Sequence, residues 1–264
     1  MDANEVGHYW NGNADAWTDL SRQGFDIHRD LINTPAFFDM LPDISGLRGL
    51  DIGCGEGTNT RLLADRSAQI TAIDIADVFI RHAQAEEVAC SCGITYIHGN
   101  AQDLPFGSQS FDFATAFMSL MDIPDSEKAI AEAFRVIKPD GFFQFSITHP
   151  LFEVQHRKKL RTDSGQAYAF ELGGYFQPID GGIDEWTFGA APEQIRSRYE
   201  KFRIPRFCRT LSDWINVLIR SGFIIDELVE PRASEKAIAI HPKLADTHIF
   251  PYSLQVRCRR PSGF

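Results

Sequence analysis

Between residues 47 and 148 the apolar positions switch repeatedly between two periods. Short, nearly continuous apolar runs at 49–52, 70–74, 95–98, 111–117 and 142–147 read as buried strands. The stretches between them repeat their apolar residues every three or four positions and predict helices over 59–66, 78–90 and 126–137. The last of these sets Ile130, Ala133, Phe134 and Ile137 along one face. Repeated strand–helix units of this kind predict an α/β fold, a parallel sheet covered by helices on both faces, with ligands bound outside the carboxyl ends of the strands.

The flanks carry different patterns. In the first 45 residues Tyr9, Trp10, Ala14, Trp17 and Leu20, then Ile27, Leu31, Phe37, Phe38 and Leu41, recur at helical spacing, with Pro35 and Pro42 as punctuation. This predicts a helical cap that packs on the sheet domain, or one whose Tyr9, Trp10 and Trp17 also wall a pocket. Beyond 150, the basic stretch 155–161 reads as a short solvated helix face. Residues 164–207 are rich in glycine and aromatics, including Tyr175 and Trp186, and are too long for a plain connection. They read as an insert forming the acceptor side of a pocket, with room for an added hairpin; the other reading is an oligomer contact, as in a homodimer. A capped amphipathic helix, Thr210 through to its stop at Gly222, and strands at 224–229 and 253–258 return to the core, with 232–251 near the pocket rim. The expected organisation is one domain over 1–264: cap 1–45, core 46–149, insert 150–209 and a C-terminal part of the core from 210.

Composition narrows the partners. With 264 residues, 44% of them hydrophobic, the chain can bury a substantial core. A net charge of −10 with no run of five like charges argues against nucleic acid. The N-terminus lacks the pattern of a signal peptide and no apolar run is long enough to span a membrane, so a cytoplasmic protein with no membrane association is expected. Five scattered cysteines suit reduced thiols, and Cys90-Ser91-Cys92 has no second ligand pair, so no metal is expected.

The chemistry concentrates at Leu50-Asp51-Ile52-Gly53-Cys54-Gly55-Glu56-Gly57, where the first strand breaks into glycines and continues into a helix. Glycines let a ligand approach the backbone closely, next to the free N–H groups of a helix start. The spacing is G-x-G-x-G, unlike the G-x-G-x-x-G of a dinucleotide site, and Asp51 would repel two phosphates but attract an ammonium group. Asp74, at the end of the second strand, can accept from both hydroxyls of a ribose. Either acid taken alone also fits a turn or a helix start.

These residues resemble motif I of the class I S-adenosylmethionine-dependent methyltransferases. Thr71-Ala72-Ile73-Asp74-Ile75-Ala76 resembles their second motif. The segment from His98 to Phe106 followed by Ser110-Phe111-Asp112, and the run Phe134-Arg135-Val136-Ile137-Lys138-Pro139-Asp140-Gly141, are similar to the small-molecule branch that includes ubiquinone and menaquinone C-methyltransferases. The resemblance implies a Rossmann-like, seven-stranded, mostly parallel sheet whose last strand is antiparallel, and S-adenosylmethionine as cofactor. It implies that Asp51, Gly53, Gly55 and Gly57 surround the methionine portion, that Asp74 holds the ribose and that Ile75 lies against the adenine. Asn100, where the family often has Asp, would meet the adenine edge with Ala101 and Gln102; Phe117 and Met118 would line the methyl-transfer mouth. Asp140 departs from the family's glycine, in a turn away from the pocket.

The family chemistry is in-line attack by an O, N or C of a small-molecule acceptor on the sulfonium methyl, much of it achieved by positioning. If a general base exists, His149 after the fifth strand is the first candidate, ahead of His8 and Tyr9; a structural histidine is the competing reading. Phe117-Met118-Ser119-Leu120 stands where amino-directed DNA methyltransferases carry a Pro-Pro-aromatic motif, which favours a small acceptor. The alternative function is a catalytically silent protein that binds or senses S-adenosylmethionine.

Overall fold

The computed structural model describes residues 1–263. The chain runs through α1 (Ala3–Arg22), a π-helical turn at Arg29–Asn33, α2 (Thr34–Met40), β1 (Arg48–Ile52), α3 (Thr58–Ala64), β2 (Gln69–Asp74), α4 (Asp77–Ala89), β3 (Thr95–His98) and β4 (Phe111–Phe117). It continues with α5 (Ser126–Val136), β5 (Ile137–Thr148), β6 (His156–Arg161), β7 (Ala167–Gly173), β8 (Asp180–Trp186), α6 (Glu193–Arg196) and β9 (Phe202–Phe207). It ends with α7 (Leu211–Arg220), β10 (Ile224–Val229), α8 (Glu235–Ile240) and β11 (Ser253–Arg259).

Seven strands form one sheet in the order β10-β11-β5-β4-β1-β2-β3, in which only β11 runs against the others. This is the Rossmann-like arrangement expected from the sequence, including the antiparallel last strand. The order reverses beside β1, which pairs with both β2 and β4, so the carboxyl ends of β1 and β4 open a crevice. On one face α5 and α7 pack Ile130, Ala133, Trp214 and Leu218 on Phe143 and Phe145; on the other, Phe37, Leu63 and Ile80 cover Ile70 and Phe113. All of these side chains are buried, and the sheet is sealed on both faces.

The cap is attached by polar groups as well as by its apolar stripe. Asn33 Oδ1 accepts from Ser146 Oγ at 2.9 Å and from Gln255 Nε2 at 2.7 Å, and Gln144 Nε2 donates to the Phe37 carbonyl at 2.6 Å. These donors point from β5 and β11 into a dry interface, where each would be costly if unmatched. α1 itself lies against the insert: Leu20 and Trp17 pack with Phe188 and Phe202, and Ala14 with Phe79 of α4.

The insert departs from the sequence reading in one respect. Residues 156–161 form a strand rather than a helix face, because the turn at 162–165, with Gly165 at φ +83°, folds 167–173 back upon it. A second hairpin joins β8 to β9. Residue 140, where the family carries glycine, is an exposed Asp at φ +64° in an irregular turn of β5, away from the crevice.

Asn33→Ala removes the shared acceptor of two buried donors and should lower unfolding free energy by about 2 kcal/mol or more. Denaturant titration checks this; an unchanged midpoint would mean that the clamp contributes nothing to stability.

Candidate active site

β1 delivers the chain into a loop that only a narrow set of residues can form. Gly53 and Cys54 both donate their N–H to the Ile73 carbonyl, at 2.7 and 3.1 Å, which folds the loop over the end of β2. Gly53 and Gly55 take φ of +71° and +55°. A Cβ on Gly53 would collide with Ser119, whereas one on Gly55 would meet no protein atom within 4 Å. Gly55 therefore presents bare backbone to open space.

Two carboxylates sit beneath this loop. Asp51 is 2% exposed and accepts from Thr60 Oγ1 at 2.6 Å and Thr115 Oγ1 at 2.8 Å; burial pushes its pKa up, against the pull of both hydroxyls. Asp74 accepts from the Gly55 N–H and the Ala76 N–H, each at 2.8 Å, and burial raises its pKa to about 6. Glu56 differs. Burial would raise its pKa, but Thr58, Arg61 and Arg22 more than offset this and hold it below the ordinary value. Arg22 lies 2.9 Å from Glu56, so the last turn of α1 is ion-paired to the glycine loop.

Above the loop lies a cavity of about 1110 Å³. This exceeds the roughly 300–1,000 Å³ usual for one small ligand and leaves room for a second. Asp51, Gly53, Gly55, Asp74, Ile75, Asn100, Ala101, Gln102, Phe117 and Met118 line it, as do Trp10 and Trp186 of the expected pocket wall. Asn100 Oδ1 already accepts from the Gln102 N–H at 2.9 Å, a local turn that shapes this edge.

Four expected residues lie elsewhere. Gly57 caps α3 behind the loop, where a Cβ would strike Tyr96 and crowd Arg61. Tyr9 faces away and stacks under Arg203, 5.2 Å from its ring centre. The Tyr175 hydroxyl accepts from the Leu211 N–H at 2.8 Å, at the start of α7. His149 is 2% exposed, with Nδ1 accepting from the Leu151 N–H at 3.1 Å and Nε2 3.0 Å from Glu230. With Nδ1 accepting, Nε2 carries the proton toward Glu230. Burial lowers the ring's pKa although Glu230 opposes it. Both nitrogens are engaged outside the cavity, which fits the structural reading of this histidine.

The sequence reading also missed residues. Alternation along β6 turns Arg157, Lys159 and Arg161 toward the cavity, and Asp246 receives Lys159 and Arg161. Asp122, Glu153 and Arg206 line the same wall. The period-two pattern of 157, 159 and 161 was the available signal for the first three. Of the 232–251 segment expected near the rim, residues 241–243 and 246–247 line the cavity. Among the described residues there is no cluster of metal-ligating side chains, all five cysteines are free, and no helix is long and apolar enough to cross a membrane.

Residues 50–145 match the protein family described as "Methyltransferase domain". The chain is 34% identical over 138 residues to the ubiquinone/menaquinone biosynthesis C-methyltransferase of Bartonella bacilliformis, covering 50% of this chain and 52% of that protein. It is 28% identical over 168 residues to a fatty-acid O-methyltransferase of Mycolicibacterium smegmatis, covering 61% of each. The chain thus spans only half to three-fifths of these curated relatives. A solved S-adenosylmethionine-dependent methyltransferase from Mesorhizobium loti superposes with a TM-score of 0.70 at 26% identity, over 86% of this chain and 96% of that one.

The two cavity glycines should respond differently to alanine. Gly55→Ala meets only left-handed backbone strain, about 1–2 kcal/mol, whereas Gly53→Ala adds the collision with Ser119 and should lose a further 1–3 kcal/mol, roughly the cost of overpacking. Denaturant titration of both variants reads the difference, and equal losses would contradict the loop geometry.

Proposed function

We propose that this chain, whose core is a class I S-adenosylmethionine-dependent methyltransferase domain, transfers the cofactor's methyl group to a small molecule held between the glycine loop and the insert. The observation that carries the reading is the joining of Gly55 and Asp74 in one cavity. Bare backbone lies beside a carboxylate whose ionised form is poorly stabilised by the protein alone. Such a carboxylate gains most from a ligand that brings paired hydroxyl donors, and a ribose does.

When bound, the cofactor supplies an electrophilic methyl on a positively charged sulfur. The chain's own residues then bind, orient and exclude water. Asp74 receives the ribose hydroxyls, and Ile75 covers one face of the adenine, with Asn100, Ala101 and Gln102 along its edge. Gly53 and Gly55 leave room for the methionine portion. Each Asp51 oxygen takes one hydroxyl donor and keeps capacity for a second, suited to an ammonium group. Phe117 and Met118 border the mouth, and Trp10 and Trp186 supply apolar wall on the acceptor side. Holding two reactants in one cavity can supply roughly 7–11 kcal/mol of barrier lowering through positioning alone.

A small acceptor, rather than a polymer, is supported by the enclosed volume, by the chain's net charge of −10 and by the small-molecule acceptors named for its two curated relatives.

Calorimetry with S-adenosylmethionine tests the assignment of Asp74. Hydroxyl donors favour the ionised carboxylate, so affinity should be level above pH 6 and should fall as the pH drops below about 6. Asp74→Ala should weaken binding by roughly 1.5–3 kcal/mol through loss of charge-assisted hydrogen bonds. Unchanged affinity would refute the ribose assignment. Incubation with methyl-labelled cofactor and a metabolite pool should yield a labelled product; cofactor binding without product from any pool would leave a silent binding protein instead.

A further inference from the structure

Among the cavity carboxylates outside the proposed cofactor site, one stands without a protein partner among the described residues. After β4 the chain makes a 3₁₀ turn at Leu120–Asp122, fixed by two bonds: Ser119 Oγ donates to the Ile52 carbonyl at 2.7 Å and the Asp122 N–H donates to the Ser119 carbonyl at 3.0 Å. Asp122 is thereby held to the end of β1, beside the glycine loop, with its side chain lining the cavity.

The other acids of this cavity wall are matched. Asp51 has Thr60 and Thr115, Asp74 has two backbone N–H groups, Glu56 has two arginines, Asp246 has Lys159 and Arg161, Asp26 has the Arg29 N–H, Glu153 and Asp184 share Arg206, and Glu185 has Arg203. The Asp122 carboxylate has no hydrogen-bond or ion-pair partner among the described residues. Glu153, from the segment after β5, and Arg206, from β9, are the charged groups that act on it. Arg206 is itself 2.9 Å from Glu153 and 3.1 Å from Asp184 of β8, so its charge is already shared between two carboxylates. Burial, with Glu153 adding to it and Arg206 opposing, drives the Asp122 carboxyl well above the ordinary range. The group faces the open cavity with no protein donor on it.

We propose that Asp122 accepts the proton that the acceptor loses as it is methylated, a role that rests on the methyl-transfer reading above. The sulfonium charge entering the same cavity favours the ionised carboxylate and readies it. In the transfer, the acceptor atom X donates its electron pair to the methyl carbon while the carbon–sulfur bond breaks and sulfur keeps that pair. The X–H bond then yields its proton to an Asp122 carboxylate oxygen. Cation, carboxylate and neutral X–H become a neutral thioether, a neutral acid and a neutral methylated product. The corresponding acceptor class is a neutral molecule that presents X–H, a hydroxyl, an amine or an acidic C–H. An acceptor already ionised at its nucleophile, such as a carboxylate, has no proton for Asp122 to take.

Proton linkage tests this without a known acceptor. Binding of S-adenosylmethionine and of its uncharged product S-adenosylhomocysteine is measured by calorimetry in paired buffers of different ionisation enthalpy, between pH 6 and 9. The wild-type protein should release more protons with the sulfonium than with the thioether. Asp122→Asn should abolish the difference while binding the thioether within about threefold of wild type. A difference that persists in Asp122→Asn, or is absent from the wild type, overturns the proposal and leaves the cofactor reading intact. Failure of both ligands to bind the wild type overturns both. In the labelled-pool assay Asp122→Asn should slow transfer by about 10²- to 10⁴-fold, as loss of a general base does, with Asp122→Glu recovering part; an unslowed Asp122→Asn overturns the proposal.

Discussion

The buried carboxylate of Asp51 is the constraint on which the site depends. It belongs to β1 in the middle of the sheet and accepts one hydroxyl from α3 and another from β4, so three elements meet at one charge. A carboxylate 2% exposed would be prohibitive among the surrounding apolar side chains without those two donors. Their presence sets where α3 begins relative to the sheet, and therefore how the intervening glycines must turn. Asp74 continues the logic one strand over: by accepting from the Gly55 N–H it fixes the far side of the same loop. The loop is thus suspended between two acids, with its open face toward the cavity.

The cover over that face is assembled from segments far apart in sequence. Arg22 of the cap reaches Glu56 in the glycine loop, Trp17 packs edge-on against Phe188 of the insert with ring centres 4.9 Å apart, and Lys159 of the first hairpin meets Asp246 near the C-terminus. None of these contacts belongs to the sheet, yet together they enclose the ligand volume. Aromatic side chains suit this work because they bury much area with few rotatable bonds. Arginine and lysine stems add apolar surface while their heads find carboxylates.

What was legible in the sequence follows from the range of the interactions involved. The strands and helices between 47 and 148 declare themselves through local periodicity, and the glycine loop through spacing within eight residues, so the sheet and the loop at its switch point were readable. His149 was not, because its role is decided by Glu230, 81 residues away, which captures the ring nitrogen that a base would need. Tyr175 was misread for a related reason: the Leu211 N–H at the start of α7 takes its hydroxyl. Arg157, Lys159 and Arg161 were hidden by composition, since a basic run looks like a solvated helix until the turn at Gly165 and the returning strand are paired with it. Asp122 carries no motif; its significance lies in what fails to contact it.

That contrast between matched and unmatched acids bears on how the protein separates donor from acceptor chemistry. Asp74 and Asp122 both resist ionisation because of burial, but the first is already held by two N–H donors and the second by none. At Asp122 Arg206 favours the anion against burial and the charge of Glu153, with no hydrogen-bond donor to help it. The two sit at the ends of neighbouring elements, Asp74 closing β2 and Asp122 in the turn after β4, with β1 between them. The parallel sheet thus places a hydrogen-bonded carboxylate and one without a donor on opposite sides of the glycine loop.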